Sequence, residues 1–104
     1  MDLEKIINQP NVTIVDVREP NEFQGGHIEG AINIPLGSIP NSVTKIKKMS
    51  QPIIVYCRSG MRSGQAMTFL KTQGIKEVYN GGGINQMQDY KNGKPKKSIF
   101  SFFK

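Results

Sequence analysis

The sequence predicts an α/β domain built on a mainly parallel β-sheet, and three observations carry that prediction. Short runs rich in β-branched residues, such as Val12-Thr13-Ile14-Val15-Asp16-Val17 and Ile53-Ile54-Val55-Tyr56, alternate with helix-like segments. The length of 104 residues suits one compact core. Composition is that of an ordinary globular chain, with 37% hydrophobic residues, three tyrosines, five phenylalanines and no tryptophan.

Taken in order, Asp2 is placed to cap a short amphipathic helix through Ile7, which Pro10 stops. Residues 12–17 form a buried strand, and Pro20, a favoured first-turn residue, starts a short helix over Glu22 and Phe23. Gly25-Gly26-His27-Ile28-Glu29-Gly30 breaks regularity as a turn between layers, and residues 31–34 read as a short strand ended by Pro35. Ser42 is expected to cap a helix in which Val43, Ile46 and Met49 share a face and Lys45, Lys47 and Lys48 face solvent.

Pro52 precedes the central strand, which ends in a loop after Tyr56. Beyond the loop, Ala66, Met67, Phe69 and Leu70 give the apolar face of a helix that Gly74 stops. Glu77-Val78-Tyr79 reads as a last short strand, Gly81-Gly82-Gly83 as a turn, and Ile84, Met87 and Tyr90 as the buried face of a final helix.

Net charge is +6, but residues 1–90 hold nine Lys/Arg against eight Asp/Glu, so Lys91, Lys94, Lys96, Lys97 and Lys104 supply nearly all of it. The expected division is therefore a domain over residues 1–90 and a basic, Phe-containing tail over 91–104. The tail reads as a solvated cationic end rather than a nucleic-acid or membrane contact. Ile99, Phe100, Phe102 and Phe103 leave open that it folds back, dimerises or touches a membrane surface. A monomer or weak dimer is expected. No export signal or membrane-spanning run stands out, so the reading is cytoplasmic.

Cys57 is the only cysteine, and it ends the apolar run just before Arg58-Ser59-Gly60-Met61-Arg62-Ser63. At the carboxyl end of a parallel strand the next helix begins with unpaired N–H groups, which stabilise negative charge. A thiol there, with two arginines beside it, is expected to ionise near neutrality. Gly60 lets the loop turn tightly, Ser59 and Ser63 offer hydroxyls, and Arg58 and Arg62 suit an oxyanion. The expected substrate is small and anionic. Arg62 has a second reading, as a loop anchor paired with a carboxylate such as Asp16 or Glu19. Asp16 and Arg18 are expected to shape the floor of the loop, and His27 to be a hydrogen-bonded structural group rather than a proton shuttle. One Cys and one His provide no metal cluster. With no second cysteine, any sulfur or oxidant taken up by Cys57 must be cleared by another molecule.

Val15-Asp16-Val17-Arg18-Glu19, then Phe23-x-x-Gly26-His27-Ile28-x-Gly30-Ala31-x-Asn33-Ile34-Pro35-Leu36, then Val55 to Ser63, then Gly82-Gly83, resemble the single-domain rhodanese-like sulfurtransferases over about residues 3–90. The resemblance implies a rhodanese-like three-layer fold with a central parallel sheet between helices. It also implies thiosulfate:acceptor sulfur transfer through a Cys57 persulfide, with a thiol or cyanide as acceptor and no cofactor. Two other roles remain: a carrier that receives persulfide sulfur from a partner enzyme, and a phosphatase or arsenate reductase. In those two enzyme types five residues separate the cysteine and arginine. Here four separate Cys57 from Arg62, a tighter loop that resembles the sulfur-transferring branch. Met87 stands where many members of the family have tryptophan, which implies a packing change rather than lost activity.

Overall fold

The computed structural model describes residues 2–93. The tail readings for residues 94–104 lie outside the described residues. In chain order the elements are α1 (Leu3–Ile7), β1 (Thr13–Asp16), α2 (Pro20–Gln24), β2 (Ile32–Asn33), two 3₁₀ turns (Leu36–Ser38 and Pro40–Ser42), α3 (Val43–Lys47), β3 (Ile53–Cys57), α4 (Met61–Thr72), β4 (Val78–Gly83) and α5 (Ile84–Asn92). The four strands form one all-parallel sheet in the order β2-β1-β3-β4. β1 and β3 therefore lie inside it.

Alternation along the strands divides the core into two layers. Ile53, Val55 and Cys57 of β3 join Val15, Val17, Ile46, Ala66 and Leu70 on the face covered by α3 and α4. Ile54 and Tyr56 point the other way, joining Ile14, Ile7 and Met87 on the face covered by α1 and α5. All five residues of β3 are buried, so the strand reads as an unbroken apolar run rather than an alternating one. Met87 is fully buried in the second layer, where its flexible thioether packs among Ile7, Ile14, Ile54 and Tyr56.

Local signals act as the sequence predicts at several termini. The Asp2 carboxylate accepts from Lys5 N at 3.3 Å at the start of α1. Gly74, with φ +94°, follows the end of α4 in the left-handed region that glycine tolerates. Ser42 does not cap α3. Its hydroxyl donates instead to Ser38 O at 2.8 Å, because the two 3₁₀ turns bring that carbonyl within reach.

The glycine run is a second correction. Gly81-Gly82-Gly83 is not a turn but the end of β4, which extends through it to pair with Tyr56 and Cys57. Val55 lies opposite Asn80 and Tyr56 opposite Gly82, so Gly81 is an extra residue in a β-bulge. Without large side chains, this part of β4 can approach the loop after β3. A Cβ on Gly83 would lie 2.5 Å from Arg58 O.

Candidate active site

Cys57 is the last residue of β3, and Gly60 is the residue from which α4 departs. Gly60 has φ +103°, a conformation costly for any side chain, and an added Cβ would press on Gly82 Cα at 3.3 Å. That backbone turns the Gly60 N–H onto the Cys57 sulfur at 3.0 Å. The buried Ser63 hydroxyl, from the first turn of α4, lies 3.4 Å from the same sulfur.

Burial by itself pushes the Cys57 thiol up, since a charged sulfur is poorly solvated there. The Ser63 hydroxyl and the amides of Ser63, Gly60 and Ser59 donate to the anion and outweigh that cost. The net effect holds the thiol below its ordinary value. Hydrogen bonds rather than guanidinium groups dominate this balance.

Arg62 adopts the second of its two sequence readings, and the carboxylate is that of Glu22. Its guanidinium grips Glu22 of α2, Nη1 to Oε1 at 2.8 Å and Nη2 to Oε2 at 3.1 Å, and neither Asp16 nor Glu19 is its partner. The Arg62 hydrogen bond and the Glu19 amide hold the Glu22 carboxyl down at about 2. Arg58, Ser59 and Met61 are exposed, and Met61 retains 75% of its accessible surface. Among the described residues, Arg58 on the rim of the loop has no ion-pair partner.

Asp16 and Arg18 sit in the opposite layer from the sulfur. Arg18 Nε donates to both Asp16 oxygens at 3.0 and 3.1 Å, and Nη2 donates to Asp16 Oδ2 and to Gly26 O, each at 2.7 Å. The guanidinium carbon lies 5.8 Å from the centroid of the Tyr56 ring, and the Tyr56 hydroxyl accepts from Ile28 N at 2.9 Å. Burial raises the Tyr56 hydroxyl well above its usual range, so it stays neutral. This cluster pins the glycine turn after α2 rather than lining the thiol pocket. His27 is exposed, stacked on Phe23 with ring centroids 3.6 Å apart, and donates from Nδ1 to Phe23 O at 2.8 Å.

Two residues were not singled out from the sequence. Glu22 was placed only as part of a helix, and its partnership spans 40 positions that no local pattern links. Asn80 touches Ser63, Gly60 and Gly82 through one amide. An asparagine directly before a glycine run was the available signal, and reading that run as a turn concealed it.

The geometry defines a class: a parallel α/β domain that presents one cysteine at a strand end, its sulfur enclosed by amides and a hydroxyl at a helix N-terminus. A family model described as the Rhodanese-like domain matches residues 1–90, and the chain belongs to this family. It is 46% identical over 67 residues to Uncharacterized protein YqhL of Bacillus subtilis, covering 64% of this chain and only 52% of YqhL. It is 38% identical over 74 residues to Thiosulfate sulfurtransferase PspE of Escherichia coli, covering 70% of this chain and 71% of PspE. A solved E. coli rhodanese with anions is 37% identical and superposes with a TM-score of 0.66 over 72% of this chain and 89% of its own. Other relatives carry other names. Putative sulfur carrier protein YrkF of B. subtilis is 35% identical over 74% of this chain and 41% of YrkF, and a tRNA uridine(34) hydroxylase of Pelagibacter ubique is 32% identical over 33% of its length.

Proposed function

We propose that the chain is a thiosulfate:acceptor sulfurtransferase in which Cys57 carries the sulfur as a persulfide. The observation that carries this reading is the Gly60 amide aimed at the sulfur from 3.0 Å, with the Ser63 hydroxyl beside it. The Cys57 thiolate attacks the outer sulfur of thiosulfate, the sulfur–sulfur bond of the donor breaks, and its electron pair leaves with sulfite. The new bond is Cys57 Sγ–S, and the terminal sulfur carries the negative charge. An acceptor, cyanide or a thiolate, attacks that sulfur, and the Cys57 thiolate leaves unchanged for another round. Covalent catalysis divides one transfer into two displacements, and no cofactor takes part.

In this mechanism the loop amides hold the anion before and after loading. Arg58, Ser59 and Met61 form the exposed rim that meets the donor, with Arg58 as the oxyanion contact. Arg62 fixes the loop through Glu22 instead of gripping substrate. Support comes from PspE, a relative named for this activity, and from the similar E. coli rhodanese, which was solved with anions. Incubation with thiosulfate should add one sulfur atom to the intact mass of the wild type and none to Cys57→Ala. An unmodified wild type in that experiment would overturn the proposal.

The name of YrkF favours a second reading, a carrier loaded by a partner enzyme. Sustained conversion of thiosulfate and cyanide to sulfite and thiocyanate, with no partner protein present, would dispose of it.

A further inference from the structure

Asn80 lies in β4 opposite Val55, immediately before the bulge. Its amide bonds to three parts of the cradle: Nδ2 donates to Gly60 O at 3.0 Å, and Oδ1 accepts from Gly82 N at 2.9 Å and from the Ser63 hydroxyl at 2.7 Å. The orientation of the amide follows from its partners. A peptide carbonyl can only accept and a peptide N–H can only donate, so the nitrogen must face Gly60 and the oxygen Gly82. Ser63, meeting an oxygen without a proton, must then be the donor.

That hydroxyl has one proton and two neighbours to give it to, Asn80 Oδ1 at 2.7 Å and Cys57 Sγ at 3.4 Å. While the sulfur is uncharged, the shorter bond to Asn80 holds it. Once the sulfur ionises, the charge-assisted bond is the stronger, and the proton turns to the sulfur without the side chain leaving its place. A serine in the first turn of a helix has a third option, the carbonyl three residues earlier, here that of Gly60, which would aim the hydroxyl away from the sulfur. Asn80 competes with that option. The same amide, together with Gly64 N at 3.0 Å, grips the carbonyl of Gly60, whose own N–H faces the sulfur.

We propose that Asn80 is the positioning residue of the thiolate cradle, holding the Ser63 side chain beside the sulfur and fixing the backbone at Gly60. The inference deepens the sulfur-transfer reading and rests on it for its role in turnover, but the thiolate can be read without any sulfur donor.

The test is the pH dependence of Cys57 alkylation by iodoacetamide in the full chain, for wild type, Asn80→Leu, Ser63→Ala and the double variant, with a thermal melt of each. Asn80→Leu keeps the shape and removes all three bonds. It should lower the thiolate fraction at neutral pH about three- to tenfold, the range expected for the loss of an ordinary hydrogen bond between neutral groups. Ser63→Ala should act in the same direction, and the double variant should lose less than the product of the two single losses. If the leucine does not fold, Asn80→Ala gives the same readout by removing atoms only. A wild-type midpoint in the Asn80 variant, even with a lowered melting temperature, would reduce the residue to a structural role and overturn the proposal. Strict multiplicativity of the single losses would overturn it too. A wild type that alkylates as expected yet ignores thiosulfate would instead remove the sulfurtransferase reading and leave Asn80 in place.

Discussion

Arg62, in the first turn of α4, is bound through two hydrogen bonds to Glu22 of α2, so the helix that starts under the reactive loop is tied to the segment that follows β1. Glu22 also accepts from Glu19 N at 2.9 Å, which joins the tie to the N-terminus of α2.

Glu22→Gln should loosen this tie modestly, because both side chains are partly exposed, at 34% for Arg62 and 26% for Glu22. The loss is about 1 kcal/mol or less, or up to about 4–8 °C in melting temperature. Its pH dependence has a defined sign. The folded carboxyl lies at about 2, below its ordinary value of 4.5, so the contribution is complete above that ordinary value and disappears as pH falls through the folded one. Melts of wild type and variant should differ at pH 7 and converge near pH 2.

Cys57 should alkylate with a midpoint below the ~8.5 of an ordinary thiol. Its depressed folded value means that thiolate stabilisation is present above the ordinary value and lost as pH falls through the folded one. Iodoacetamide rates measured across pH 5–10 check this, with Cys57→Ala as the unreactive control. A midpoint at or above that of a free thiol would contradict the geometry of the cradle.

Gly83→Ala separates crowding from backbone conformation. Gly83 has φ −90°, which any residue adopts, yet its Cβ would sit 2.5 Å from the Arg58 carbonyl. The backbone after Cys57 must move, at a cost of about 1–3 kcal/mol. Alkylation of the variant should show a raised Cys57 midpoint as well as a lowered melt.

Arg18→Met should do the reverse. It leaves the fully buried Asp16 carboxylate without its partner, which costs about 3–5 kcal/mol. The site of damage is the layer facing away from the sulfur, so below its melting temperature the variant should alkylate with the wild-type midpoint. Urea unfolding and alkylation on one preparation give both numbers.

The sequence contained most of the fold in local form. Capping at Asp2, the stop at Gly74 and the apolar run into Cys57 are short-range signals, and each marks a terminus of α1, α4 or β3. The cysteine loop was legible for the same reason, since its donors lie within six residues of the sulfur. What escaped depends on contacts between distant segments. The bulge that carries β4 through Gly81 is set by its pairing with β3, and the partner of Arg62 by the docking of α2. Asp16 and Arg18 flank the strand end in sequence, but strand alternation sends them behind the sheet.

Tyr56 and Cys57 are consecutive residues whose side chains serve opposite sides of one strand. A slip of that strand by a single position would exchange phenol for sulfur, so the Ile28 amide that clamps the tyrosine also fixes the face to which the nucleophile is delivered. The rear of the molecule therefore sets the register of the reactive atom without ever touching it.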